Sequence, residues 1–295
     1  MNILITGSKG QLGCELRRLI STGVAEIGAI PEVYREASVL YCDLDELDIT
    51  DEQACLRFVD SNDIGMIINC AAFTNVDACE SKPELAAAVN ADGPRNLARA
   101  AERVGATLIH ISTDYVFAGD DPSPRVETDA PSPRSVYGQT KLAGEQQVAA
   151  ECSRHFIVRT AWLYGYEGAN FVKTIMRLAR ENGMIKVVDD QYGSPTSAND
   201  LAYELVKLAL TNEYGIYHCT NNGTCSWFEF ASAIVDIAGI PCEKNACSTE
   251  EFVRPAKRPA FSVLDNARLR ATIGDEMRNW RDALESYLEN VGSSD

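Results

Sequence analysis

The sequence predicts an α/β fold: a doubly wound parallel sheet carrying a smaller, mostly helical C-terminal domain. Three observations lead there. Short apolar runs alternate with amphipathic stretches through the first half of the chain. Glycines cluster where the first apolar run gives way to the first amphipathic stretch. Beyond about residue 165 the alternation weakens and helical patterns dominate.

The elements follow in order. NILITG (2–7) reads as a buried strand, and QLGCELRRLI (11–20) sets Leu12, Leu16, Leu19 and Ile20 on one helical face. The stretch 24–37 is a long connection with no assigned role. SVLYCD (38–43) is the next strand. DEQACLRFVDSN (51–62) is helical, with Asp51 in the N-cap region. Residues 66–73 (MIINCAAF) form a strand, 84–105 a helix, 106–113 (ATLIHIST) a strand and 158–165 (VRTAWLYG) another. This rhythm is that of a parallel sheet covered on both faces. The Pro-, Asp- and Ser-rich stretch 118–134 reads as a surface loop. Helical patterns cover 170–183, 198–211 and 226–239. A dinucleotide-binding domain is expected at 1–160, with 184–222 returning to it. A substrate-binding domain is expected at 161–183 and 223–295.

Bulk properties narrow the function. The chain has 295 residues and a formal net charge of −16, a poor ligand for nucleic acid or anionic membrane. It opens directly on a strand, and no apolar run reaches the roughly 18 residues of a membrane span. The ten cysteines include no C-x-x-C pair, and there are three histidines. Reduced thiols, no zinc site and a cytoplasmic location are expected.

ITGSKGQLG places Gly7, Gly10 and Gly13 between strand and helix. Glycines there permit a tight turn and let backbone N–H groups approach a pyrophosphate at the positive end of the helix. In this context the loop predicts a Rossmann-like dinucleotide site. Asp43, ending the second strand, is the candidate for the adenosine ribose. Its carboxylate would repel a 2′-phosphate, which favours NADH or mixed use of NADH and NADPH. Asp48 and Ile49 suit an adenine, as a carboxylate for the amino group and an apolar neighbour for the ring. Ala71, Ala72, Phe73 and Thr74 end a strand with small residues over which a cofactor can lie, although core packing explains the alanines equally well.

SVYGQTKLAGE (135–145) carries Tyr137 and Lys141, four positions apart and so on one helical face. A nearby ammonium stabilises phenolate, so Lys141 is expected to lower the pKa of Tyr137 and make it a usable acid. The spacing alone is common on solvated helices. Its context is the strand ending in Ser112, Thr113 and Asp114, from which the Thr113 hydroxyl can reach a substrate carbonyl. Gly138 and Gly144 inside the helix cost about 1 kcal/mol each relative to alanine. Either close packing or room for the cofactor accounts for them.

At these motifs the chain resembles the extended short-chain dehydrogenase/reductase family, in its branch of deoxysugar-nucleotide reductases. The resemblance runs through ITGSKGQLG, LDIT, NCAAFTNVDACE, ISTDYVFAG, VYGQTKLAGE, RTAWLYG, NFVKTI, DQYGSPTSANDLA, HCTNNGTCSWFEFA and RPAKRP. It implies a Thr113, Tyr137, Lys141 triad. It implies cofactor contacts at Gly10, Gln11, Leu12, Asp43, Asp48, Ile49, Ala72, Phe73 and Thr74. Substrate contacts are implied at Thr113, Asp114 and Trp162. The implied reaction is reduction of the C4 keto group of dTDP-4-dehydro-L-rhamnose to dTDP-L-rhamnose by NADPH or NADH. Dehydratases similar to this family carry Thr-Asp-Glu where this chain has Thr113-Asp114-Tyr115. The glutamate that water elimination needs is missing.

Arg254, Lys257 and Arg258 form a basic cluster suited to a diphosphate, or else simple charge balance. Trp162 could stack on a sugar face, though an indole at a strand end often belongs to a core. Trp227 and Phe228 read as helix packing. Some members of the family are dimers that hold magnesium through glutamates. Here Glu15 is present, but Asn199 stands where a second glutamate is expected, so no essential metal is predicted and the chain is a monomer or homodimer. Two rival readings stay open: a non-catalytic subunit resembling the regulatory subunit of methionine adenosyltransferase, and a reductase or epimerase of another nucleotide sugar.

Overall fold

The computed structural model describes residues 1–292. The first half runs β1 (Asn2–Thr6), α1 (Gln11–Thr22), β2 (Ser38–Cys42), α2 (Glu52–Ser61), β3 (Ile64–Asn69), α3 (Gly93–Val104), β4 (Thr107–Thr113), α4 (Val136–Glu151) and β5 (His155–Thr160). There follow α5 (Phe171–Asn182), α6 (Ala198–Leu208), β6 (Gly215–His218), α7 (Trp227–Ile237), α8 (Ala267–Ile273) and α9 (Trp280–Gly292). The six strands form one parallel sheet in the order β2-β1-β3-β4-β5-β6. The strand order reverses between β1 and β3, which opens a crevice at their carboxyl ends.

Alternation along β1 builds two cores. Ile3 and Ile5 face Leu16 and Leu19 of α1 and Leu201 and Leu205 of α6. Leu4, between them, points the other way, toward Leu97 of α3 and Val148 of α4. Burial on both faces is why the strands read as continuous apolar runs. A third core joins α5, α7 and α9 through Val172, Phe230 and Leu284.

Several boundaries differ from the sequence reading. The strand expected over 66–73 ends at Asn69, and residues 70–75 run on as irregular loop. The run 158–165 breaks at Trp162, whose φ of 47° lies in the left-handed region, and resumes as a short strand, Leu163–Tyr164, beside Thr196–Ser197. The helix over 84–105 contains a π turn, Ala88–Asp92. The connection 24–37 is built from a small hairpin and a 3₁₀ turn, and it is anchored by Tyr34, whose hydroxyl donates to the Val206 carbonyl at 2.8 Å.

The return of 184–222 to the first domain needs correction. α6 and β6 do return, because their apolar faces complete the core over α1 and the edge of the sheet. Met184–Val188 instead pairs with Glu243–Cys247, and Tyr192–Gly193 with Cys225–Ser226, in the second half. α8 also crosses back, burying Leu269 in the core that contains Tyr217. All ten cysteines are free thiols. No helix among the described residues is long and apolar enough to cross a membrane.

Candidate active site

The carboxyl ends of β1, β3, β4 and β5 open into one cavity of about 650 Å³. Gly7 stands at the end of β1 with φ at +65°, where a Cβ would collide with the backbone at Ala71. Gly13 lies against the Gly7 carbonyl, again with no room for a Cβ. The Gly10 N–H closes the turn by donating to the Gly7 carbonyl at 3.0 Å. No side chain caps α1 at Gly10, so its first-turn N–H groups are left for another acceptor. Gln11, in that turn, has a buried side-chain oxygen without a hydrogen-bond partner. A glycine cradle with uncapped N–H groups fits a dinucleotide pyrophosphate.

The remaining residues expected at the cofactor also line the cavity: Leu12, Asp43, Asp48, Ile49, Ala72, Phe73, Thr74, Tyr137 and Lys141. Asp43 ties the glycine loop to β2, accepting from the Lys9 N–H at 3.1 Å and the Leu44 N–H at 2.9 Å. Asp48 is turned toward Thr50, accepting from its N–H at 2.9 Å and its hydroxyl at 2.7 Å. Phe73 is held by Asn90 of the π turn, whose amide accepts from the Phe73 N–H at 2.8 Å and donates to its carbonyl at 3.1 Å. Asn90 escaped the sequence reading, since nothing local marks a π turn.

Ser135 caps α4 by accepting from the Gly138 N–H at 3.1 Å, which starts the helix just ahead of Tyr137. Tyr137 and Lys141 then lie one turn apart, both buried, with Thr113 and Asp114 at the end of β4 lining the same cavity. Thr113 donates to Asp114 Oδ1 at 2.9 Å. Burial pushes the Tyr137 phenol well above its ordinary value, with the neighbouring Thr113 hydroxyl opposing the shift. Burial pulls Lys141 down to about 8, with Glu145 opposing. Asp114 is pushed up to about 6, also by burial. The expectation that Lys141 lowers the Tyr137 pKa is therefore corrected. Burial raises it, and the Lys141 Nζ donates to the Ile111 carbonyl at 2.6 Å.

The two helix glycines are resolved in favour of packing. A Cβ on Gly138 would strike the Tyr115 carbonyl, and one on Gly144 the Asn90 carbonyl. Neither makes room for a cofactor.

Trp162 lines the same cavity, stacked on Trp227 with ring centroids 3.5 Å apart. Trp227, read from sequence as helix packing, is a cavity residue that the sequence reading missed. Its place in the first turn of a capped amphipathic helix gave no other signal. Arg254, Lys257 and Arg258 do not line the cavity. Arg258 pairs with Asp77 at 3.0 Å and donates to the Tyr115 hydroxyl at 3.2 Å, while Arg254 lies 3.8 Å from Asp77. Lys257 is exposed. The basic strap thus reaches the site through Tyr115, and Asp77 already offsets part of its charge.

A family model described as RmlD substrate binding domain matches residues 1–293. The chain is 43% identical to dTDP-4-dehydrorhamnose reductase of Mycolicibacterium smegmatis, over 98% of this chain and 85% of that one. A dTDP-4-dehydrorhamnose reductase structure from Clostridium acetobutylicum superposes with a TM-score of 0.93 at 45% identity, covering 99% of this chain and 100% of that one.

The chain belongs to the dTDP-4-dehydrorhamnose reductase family.

Membership makes it an NAD(P)H-dependent oxidoreductase. A further family structure, dTDP-4-dehydrorhamnose reductase of Bacillus anthracis in complex with NADP, has a TM-score of 0.91 at 42% identity, covering 98% of this chain and 99% of that one. At the position where a magnesium-holding member is expected to carry its second glutamate, Asn199 sits directly on Glu15, its amide donating to the carboxylate at 2.9 Å. Arg18 completes the set at 3.1 Å. A cation in place of these donors would have to break both contacts.

Proposed function

We propose that the protein reduces the C4 keto group of dTDP-4-dehydro-L-rhamnose to dTDP-L-rhamnose. The observation that carries this reading is the meeting of the glycine cradle, Thr113, Tyr137, Lys141 and Trp162 in one cavity. NADPH or NADH would lie with its pyrophosphate over Gly10–Gly13, supported by Ala72 to Thr74, and supply the hydride when bound. Thr113 orients the C4 oxygen, and Tyr137 donates the proton to it. Lys141 holds the nicotinamide ribose and, as ammonium, stabilises the phenolate left behind. With no glutamate after Thr113 and Asp114, elimination of water has no acid–base group at that position, and simple reduction is the favoured chemistry.

The division of labour follows the fold. The sheet with its returning elements α6 and β6 binds the cofactor, while the third core and the 254–258 strap carry the substrate. Arg254, Lys257 and Arg258 meet the nucleotide diphosphate once Asp77 is displaced.

The test is oxidation of NADH or NADPH with dTDP-4-dehydro-6-deoxyglucose, with and without a 3,5-epimerase. The reading requires oxidation only when the epimerase is present. Oxidation without it, or none in either case, overturns the substrate assignment.

A further inference from the structure

Thr6, Asn69 and His110 are register partners on β1, β3 and β4, and all three are buried. Their side chains make one hydrogen-bonded row beneath the cavity. The row ends at Lys141 of α4, whose Nζ lies 3.4 Å from His110 Nε2.

The direction of each bond in the row can be assigned. The Ala71 N–H can only donate, and it reaches Asn69 Oδ1 at 3.1 Å, where the Thr6 hydroxyl also donates at 2.8 Å. That fixes the Asn69 amide, so its Nδ2 donates to His110 Nδ1 at 3.0 Å. Burial, with Lys141 beside it, holds the imidazole well below its ordinary pKa and therefore neutral. A neutral imidazole that accepts at Nδ1 carries its proton on Nε2. The Nε2–H thus faces Lys141 Nζ. An ammonium has no lone pair for that hydrogen, whereas an amine has one.

We propose that Asn69 and His110 are positioning residues for Lys141: Asn69 locks His110 as the Nε2–H tautomer, and this tautomer favours the amine over the ammonium at Lys141. The proposal rests on the reductase reading for its catalytic meaning, because Lys141 acts there as ammonium. The His110 tautomer then helps set the pH at which the ammonium is lost. Other groups face Lys141 from each neighbouring element. Tyr137 and Glu145 lie on its own helix, Asp114 follows β4 and faces Tyr137, and Cys70 follows β3. The Glu145 charge is met by Arg159 of β5 at 2.7 Å, and burial pushes the Cys70 thiol up to about 12, so it is neutral. His110 is the partner that can be switched from donor to acceptor without moving the lysine.

The test reads the tautomer by nitrogen NMR of the imidazole, and the Lys141 titration by carbon NMR at Cε. Neither needs turnover. Asn69→Asp keeps an acceptor for Ala71 and Thr6 but offers a second acceptor to His110, drawing its proton to Nδ1 and leaving Nε2 to accept from the ammonium. His110→Gln can present an amide oxygen to Lys141 without adding charge. The expected results are Nε2–H in the unaltered protein, Nδ1–H in Asn69→Asp, and a Lys141 midpoint raised by about one unit in both variants. Where turnover is present, the basic limb of the kcat/KM profile moves with it. A protonated Nδ1 in the unaltered protein overturns the proposal. So does an unmoved Lys141 midpoint in both variants, including one accompanied by activity lost evenly at every pH. Absence of turnover in the unaltered protein, with the tautomer and midpoints as expected, counts against the reductase reading and leaves the pairing standing.

Discussion

Trp162 and Trp227 stack face to face, their ring centroids 3.5 Å apart and their planes 7° from parallel. The pair lines the cavity, and Trp162 is held in place by its left-handed backbone and by Gly193, where a side chain would collide with the indole. Replacing Trp227 by alanine removes the surface that holds Trp162 flat. The expected outcome is a KM for the sugar nucleotide raised about tenfold, which corresponds to about 1.4 kcal/mol, with the cofactor KM unchanged. Steady-state kinetics with each substrate varied in turn checks this.

In the proposed cofactor pose Asp43 meets the adenosine ribose, where its carboxylate would oppose a 2′-phosphate, and Asp45 and Glu46 stand close by, both near Lys9. Asp43→Ala is expected to raise the ratio of kcat/KM for NADPH over NADH about tenfold, because one opposing charge is removed. A ratio that stays level would move the ribose site away from Asp43.

The proposed mechanism needs Lys141 as ammonium. Its pKa is depressed to about 8 by burial, so the charged form prevails below that pH and is lost above it. The kcat/KM profile of the free enzyme is therefore expected to fall as pH rises through about 8. A profile flat to pH 10 would show that the ammonium is not required.

Gly144 packs against the Asn90 carbonyl, and Asn90 in turn fixes Phe73 at the cavity wall. Gly144→Ala is expected to cost about 1–3 kcal/mol, through overpacking against backbone that cannot swing aside. Urea unfolding of the variant measures it, and a loss of cofactor affinity should accompany the loss of stability.

Glu145 and Arg159 form a fully buried pair at 2.7 Å, with the Ser112 hydroxyl donating to Glu145 at 2.5 Å. Arg159→Met leaves the carboxylate without its charged partner and is expected to cost about 3–5 kcal/mol. The double variant with Glu145→Gln should recover part of this, which denaturant unfolding of both variants would reveal.

The sheet was legible because strands buried on both faces have no polar alternation to obscure them, as in Ile64–Asn69. The glycine loop and the Tyr137–Lys141 pair were legible because their geometry is local, one turn and one helical repeat. The features that stayed hidden depend on contacts distant in sequence. Trp227 becomes a cavity residue only by meeting Trp162, and the 254–258 strap is redirected by Asp77. Asn90 matters because a π turn aims it at Phe73. The domain return was misplaced because Met184–Val188 has a strand pattern that suits either sheet, and its partner, Glu243–Cys247, lies far along the chain. The effect of Lys141 on Tyr137 was misjudged because spacing gives proximity but not burial, and burial dominates both pKa values.

Proton donation by Tyr137 is tested by cofactor oxidation by Tyr137→Phe beside the unaltered protein, on the epimerised sugar nucleotide, with the dissociation constant for NADPH or NADH measured on both. The expected result is loss of most turnover in the variant, with cofactor affinity nearly unchanged, because only the proton donor is gone. Turnover by Tyr137→Phe at the rate of the unaltered protein would contradict it.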